Sequence, residues 1–202
     1  MEKHFVSNSA ESARMFKRDW MEPFSKVHYF VPLLIFIPVI SYFCYQSVFI
    51  NAPWYFIIGL YAGGVLAWTL TEYLLHRFLF HWIPAGKFGA RMHFIFHGVH
   101  HDYPNDTMRL VMPPALSVPL AALFYLLFVL LFGKTLAAPF FAGFVSGYLF
   151  YDISHYAIHH FNFKNKFWLQ LKKHHMFHHY KDGNRGFGVS SKIWDKVFNT
   201  DF

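Results

Sequence analysis

The chain has 202 residues, of which 55% are hydrophobic, 22% aromatic and only 14% charged. Soluble domains carry about a quarter charged residues, so this chain is short of the side chains that make a water-facing surface. The apolar content excludes a disordered chain, the single cysteine, Cys44, excludes a disulfide scaffold, and the length allows one domain of ordinary size.

In chain order, residues 1–28 are polar and mixed in charge and read as a cytosolic N-terminal segment. No cleavable leader is expected, because the first apolar run is too long for one and lacks a small-residue cleavage site. Residues 29–202 read as a single membrane-embedded domain. Four apolar runs, Tyr29–Ile50, Trp54–Leu75, Leu110–Phe132 and Thr135–Ala157, have about the 20 residues that a helix needs to cross a bilayer. Asn51-Ala52-Pro53 joins the first two and Gly133-Lys134 the last two, and links so short make helical hairpins. Pro32, Pro38, Pro113, Pro114 and Pro119 start or kink helices, which bilayer helices tolerate. The competing reading, buried helices of a soluble core, leaves too little chain to cover four such runs. The predicted fold is all-α and integral to the membrane: four transmembrane helices in two hairpins, with a cytosolic helical cap that holds the histidines.

Charge sets the orientation. Lys and Arg number 5 in residues 1–28, 4 from His76 to Arg109, 1 in the link between the third and fourth runs, and 8 from Phe161 onward. All but Lys134 therefore lie on one side, which is the cytoplasmic side, with both termini. The net charge of +7 is explained by this bias and by anionic lipid heads, so no nucleic-acid partner is implied.

The 15 histidines cluster. His76 and His81 form H-x4-H; His97, His100 and His101 form H-x2-HH; His155 and His159 form H-x3-H; His175, His178 and His179 form a second H-x2-HH. Every cluster lies at the cytoplasmic end of a run or in a cytoplasmic segment. Residues at i, i+3 and i+4 of a helix share a face, so three of these motifs present their rings together. H-x4-H does not in a regular helix; either the helix ends or bulges there, or the two rings approach from different sides. Ten imidazoles are too many for one ion and suit two metals with about five nitrogens each. Imidazole binds zinc, iron, copper and nickel alike, so ligand type does not name the metal. His4, His28 and His93 read as surface or packing residues, and His160 and His174 abut ligand clusters. Glu72, four residues before His76, and Asp152, three before His155, are carboxylates near the ends of apolar runs, costly unless paired. They are the candidates for orienting the ligands by accepting a free ring N–H. Asp102, Asp106 and Asp182 flank the loop clusters and can offset metal charge.

At these residues the chain resembles the fatty acid hydroxylase superfamily, which includes sterol desaturases, and within it the fatty acid 2-hydroxylases. The segments that carry the likeness are Glu72–His81 (EYLLHRFLFH), His93–Pro114 (HFIFHGVHHDYPNDTMRLVMPP), Tyr151–His159 (YDISHYAIH), Leu171–Lys181 (LKKHHMFHHYK) and Gly186–Thr200 (GFGVSSKIWDKVFNT). The resemblance implies that the ten clustered histidines are the ligands. It also implies hydroxylation of a fatty acyl chain at the carbon next to the carbonyl, often on sphingolipids or ceramide. Many relatives carry an N-terminal cytochrome b-type haem domain, for which 28 residues are too few. A separate electron-donor protein, cytochrome b-type or ferredoxin-like, is expected.

An unactivated C–H bond is not broken by imidazole acid–base chemistry. Activating the co-substrate O2 needs a metal that changes oxidation state, which zinc does not; the working pair is expected to be iron, with zinc possible in purified protein. The resemblance leaves other lipid oxidases open, namely a sterol desaturase, a methyl-sterol oxidase or an ether-lipid monooxygenase. A zinc hydrolase lacks the H-E-x-x-H base, a haem-bearing electron carrier wants paired histidines inside opposing spans, and a metal transporter wants polar groups at the span midpoints. The expected location is a multi-pass membrane protein of the endoplasmic reticulum in a eukaryote or the inner membrane in a bacterium.

Overall fold

The computed structural model describes residues 6, 7, 9 and 11–202, which fold as helices and connecting turns with no strand among them. A 3-10 turn, Asp19–Ser25, precedes α1 (Phe30–Val48) and α2 (Trp54–Leu74). α2 runs on as a π-helical turn, Leu75–Phe80. Then come α3 (Gly86–His93), a second π turn (Phe94–Gly98), α4 (Val99–Asp102), α5 (Pro114–His160), α6 (Lys166–Tyr180) and α7 (Ile193–Val197).

Three helices are long and apolar enough to cross a membrane: Phe30–Val48, Trp54–Phe80 and Pro114–His160. The third has 47 residues and would reach about 70 Å if straight, more than twice a bilayer core. It is not straight. Gly133 takes φ 75 and ψ 158 inside it, a left-handed conformation open to glycine. The chain turns back there, so that Phe124 meets Phe144 at 4.7 Å and Phe128 meets Phe140 at 4.9 Å between ring centroids. The third and fourth apolar runs of the sequence are thus one helical element folded at a single residue.

The predicted third run also begins too early. Pro113 caps α5 and Pro114 opens it, because proline lacks the N–H that a helix start leaves unused. Leu110 and Val111 are instead buried with Val27 and Tyr156.

The second limb of α5 is the centre of the molecule. Ala137, Phe141, Ala142, Phe144, Val145 and Ile158 are all buried. α1 and α2 both pack chiefly on α5. Close approach is enforced by small residues: a Cβ on Gly143 would fall 1.9 Å from the Tyr61 carbonyl oxygen, and one on Gly64 would fall 2.0 Å from that of Phe140. Glycine at both positions lets the backbones touch, and Tyr61 Oη donates to Ser146 Oγ across the seam at 2.7 Å. Faces turned away from α5 are apolar and exposed; Leu34, Val48, Leu123 and Leu130 are each more than half accessible. Apolar surface of this extent has no place in water, which argues against the soluble-core reading.

Candidate metal centre

The histidines are carried by four places: the π turn after α2, the π turn running into α4, the last turns of α5, and the last turns of α6. Ten of them form two groups whose ligating nitrogens lie within 4.8 Å of one another. One group is His76, His81, His97, His101 and His178. The other is His100, His155, His159, His175 and His179.

Two local features explain the grouping. The His81 amide donates to the His76 carbonyl, five residues back, at 3.3 Å. This π turn holds one residue more than an α turn and brings the two rings of H-x4-H to one side. Each H-x2-HH motif is shared between the groups. His97 and His101 serve the first group and His100 the second, whereas His175 and His179 serve the second and His178 the first. The two groups are interlocked through both motifs.

The ring contacts fit coordination better than hydrogen bonding. Nε2 of His97 is 3.1 Å from Nε2 of His76 and 2.9 Å from that of His101. Nε2 of His175 is 3.0 Å from the corresponding atoms of His155, His159 and His179 alike. A neutral imidazole nitrogen is either donor or acceptor and cannot make three such bonds to its equals. Nitrogens about 2.1 Å from an ion lie about 3.0 Å apart at right angles and about 3.4 Å apart in a tetrahedron. The observed spacings match the former, as in a five- or six-coordinate site. Each group can hold one metal ion.

Ligation also needs neutral rings. Burial first, and then neighbouring imidazoles, hold His97, His100, His101, His175 and His179 well below their ordinary range. Burial likewise pushes His81 down to about 3 and His178 to about 4.

The far side of several rings is fixed by backbone. His76 Nδ1 donates to the Phe187 carbonyl at 2.5 Å and His178 Nδ1 to the Arg185 carbonyl at 2.7 Å. The His155 ring bonds the carbonyl of Leu110, and the His159 ring that of Pro104. Glu72 and Asp152 bond no imidazole; they bond backbone close to the Phe187 and Leu110 carbonyls. Glu72 Oε1 accepts the Val189 and Ser190 amides at 2.7 and 2.8 Å, and its other oxygen accepts Ser190 Oγ. Asp152 Oδ1 accepts the Met112 amide at 3.1 Å, and Oδ2 accepts Tyr148 Oη at 3.1 Å. Each carboxylate therefore steadies one group through a strap of backbone.

Asp195 completes the clamp on the first group. Its oxygens accept the Phe187 and Gly188 amides and Thr200 Oγ1. Burial alone would raise its carboxyl, but these bonds and the one to His174, 3.1 Å away, hold it lowered.

Of the flanking acids, Asp106 is buried and binds Ser12, Ala13, Met108 and Arg109. Asp182 caps the turn at Asn184 and favours the charged form of nearby His178. Asp102 ends α4, and its carbonyl accepts the Ser7 amide. His174 is engaged with Asp195, His28 stacks on Tyr29 at 4.6 Å, His160 packs on Tyr156 at 4.6 Å, and His93 lies under Gly98. His4 lies outside the described residues.

A cavity of about 530 Å³ opens onto three of the rings, His97, His100 and His155. This is within the roughly 300–1,000 Å³ of small-molecule sites. Phe80, Phe96, Val99, Val111, Met112, Ala115, Leu116 and Tyr151 line it, together with a second set, Met15, Phe16, Trp20, Met21 and Phe24. The second set comes from the N-terminal segment and is not legible as a motif. Its signal is the apolar residues of Asp19–Ser25, Trp20, Met21 and Phe24, in otherwise polar surroundings.

The model of the fatty acid hydroxylase family matches residues 61–200. The chain is 40% identical over 187 residues to a ceramide very long chain fatty acid hydroxylase of Schizosaccharomyces pombe, covering 91% of this chain and 53% of that protein. It is 34% identical to a fatty acid 2-hydroxylase of Rattus norvegicus, covering 95% and 57%. Against a dihydroceramide fatty acyl 2-hydroxylase of Arabidopsis thaliana the identity is 37%, covering 94% and 80%. The solved structure of full-length scs7p, in which only the hydroxylase domain is visible, superposes with a TM-score of 0.86 at 42% identity, covering 91% of this chain and 70% of that one. The chain spans about half the length of the yeast and rat relatives.

Proposed function

The chain belongs to the fatty acid hydroxylase family, and from that premise we propose that it is a membrane monooxygenase that hydroxylates the 2-position of fatty acyl chains, free or in ceramide-type sphingolipids. The observation that carries this reading is the apolar cavity that ends on His97, His100 and His155, directly beside two groups of five imidazoles.

In this reading His76, His81, His97, His101 and His178 hold one iron, and His100, His155, His159, His175 and His179 the other. The metal pair supplies dioxygen activation: with two electrons and two protons, one oxygen atom enters the C–H bond and the other leaves as water. The protein's part is placement. The apolar lining takes up the methylene chain and keeps water from the reacting carbon. Glu72, Asp152 and Asp195 keep the ligand rings at fixed angles through the backbone they hold.

Four helical limbs cross the membrane in this reading, the two halves of α5 counting separately. The metal centre and the basic segments face the cytoplasm, where a separate protein delivers electrons; the membrane is the endoplasmic reticulum of a eukaryote or the inner membrane of a bacterium. The substrate's carbonyl end lies at membrane-edge depth, where the cytoplasmic ends of α2 and α5 carry their histidines.

The test is expression in a host lacking 2-hydroxylated lipids, followed by lipid mass spectrometry, with a His100→Ala/His178→Ala variant beside it. 2-Hydroxyacyl lipids are expected with the native chain and not with the variant. A metal-loaded protein supplied with a matched reductase that oxygenates no acyl chain would refute the proposal.

A further inference from the structure

Residues 12–25, an irregular stretch that ends in the 3-10 turn Asp19–Ser25, are held in place by buried charge. The Arg109 side chain is 2% exposed and pairs with Glu22 and, at 3.3 Å, with Asp106. Arg109 Nη1 also donates to Ser25 Oγ at 2.6 Å. Glu22 in turn accepts the amides of Met15 and Phe16 at 3.0 and 2.8 Å, and Asp106 accepts Ser12 Oγ and the Ala13 amide at 2.9 and 3.2 Å. Removing one partner of a buried ion pair is costly, so these contacts tie the strap to Asp106 and Arg109.

The strap walls the cavity described above. Arg109 to Met112 line the same cavity, and this stretch presents the Leu110 carbonyl to His155. At the mouth, Trp20 and Phe24 are each 64% exposed and Leu116, in the first turn of α5, is 38% exposed. Exposed aromatic rings level with the start of a membrane helix belong in the lipid interface.

We propose that the strap is the substrate-selecting wall: Phe16 and Met21 decide how bulky an acyl chain can lie against His97, His100 and His155, and Trp20 and Phe24 form the port through which that chain passes from the bilayer. This rests on the acyl-hydroxylase reading for its substrate. The selection is steric, because the wall offers the chain side chains without charge.

Two measurements on the full-length protein in phospholipid nanodiscs test it. The first is the product ratio from equal amounts of a methyl-branched and a straight fatty acyl substrate. Phe16→Ala and Met21→Ala should raise the branched share by roughly tenfold, the discrimination that one methyl carries in an apolar pocket. Phe24→Ala, at an exposed ring, should shift it in the same direction without disturbing the clamp. The second is quenching of Trp20 fluorescence by a trace of fatty acyl lipid brominated in mid-chain, with Trp20→Phe reporting the background of the other five tryptophans. Saturable quenching, reversed by unbrominated lipid, is expected. Product ratios equal to the native ratio in all three variants while hydroxylation persists, or quenching that does not saturate, overturn the wall. Saturable quenching with no acyl chain hydroxylated keeps the wall and removes the activity reading instead.

Discussion

The amide of His81 bonds the carbonyl of His76, five residues back rather than four. That one extra residue reconciles an H-x4-H spacing with a shared face. Removing a residue from the turn should restore α geometry, and in an α-helix the resulting i, i+4 pair also shares a face. Deletion of Phe78, which is 60% exposed, is therefore expected to keep both metals. His81→Ala should weaken the first site. Elemental analysis of the purified variants distinguishes the two; loss of one metal on deletion would show that the π turn does more than adjust spacing.

The interlocked groups make a second prediction that neighbouring positions do not suggest. His100 and His179 lie in one group and His101 and His178 in the other. The double variant His100→Ala/His179→Ala should lose about one metal per chain, as should His101→Ala/His178→Ala. The cross pair His100→Ala/His178→Ala removes one ligand from each site, and because both rings contact His175 and His179 its effect should depart from the sum of the singles. Metal content at limiting supply is the readout.

The ten clustered histidines were legible because four spacings recur at the ends of apolar runs, and the structure gathers all ten. What was not legible follows from how the rest of the site is built. The π turn accompanies contacts of the His76 and His81 rings with Phe187, His97 and His178, all distant in sequence. The acceptors for His76, His178 and His155 are the carbonyls of Phe187, Arg185 and Leu110, and a carbonyl leaves no mark in a sequence. Helical spacing sets Glu72 and Asp152 beside His76 and His155. Their actual partners, Val189, Ser190 and Met112, lie up to 118 residues away. The helix start at Pro114 was obscured by Leu110 and Val111, which are apolar for burial against Val27 and Tyr156 rather than for lipid.

Glu72→Ala should loosen the first site by freeing the backbone segment that carries the Phe187 carbonyl. Asp152→Ala should act on the second through the Leu110–Met112 segment. Partners of this kind are commonly worth about 10–100-fold in metal affinity. Chelator competition should show each variant releasing one metal early and retaining the other. Glu72→Gln keeps an oxygen for the Val189 and Ser190 amides and should recover most of the loss; equal loss with alanine and glutamine would mean that the charge matters more than the bonds.

Acid should act on the metal-free protein through its rings. Burial holds His81 at about 3 and His178 at about 4 in the fold, against 6.5 when exposed. The unfolded chain thus takes up protons first as pH falls. Stability is at its full value above about pH 6.5 and declines from there toward pH 3–4, the sign set by the state that binds more protons. Thermal unfolding of metal-stripped protein in detergent should give the same midpoint at pH 8 and pH 7 and progressively lower midpoints at pH 6 and pH 5. Bound metal competes with the same protons, so the loaded protein should hold its midpoint to lower pH before it falls. A midpoint that rises on acidification would mean that the rings are charged in the fold, and imidazolium rings cannot ligate.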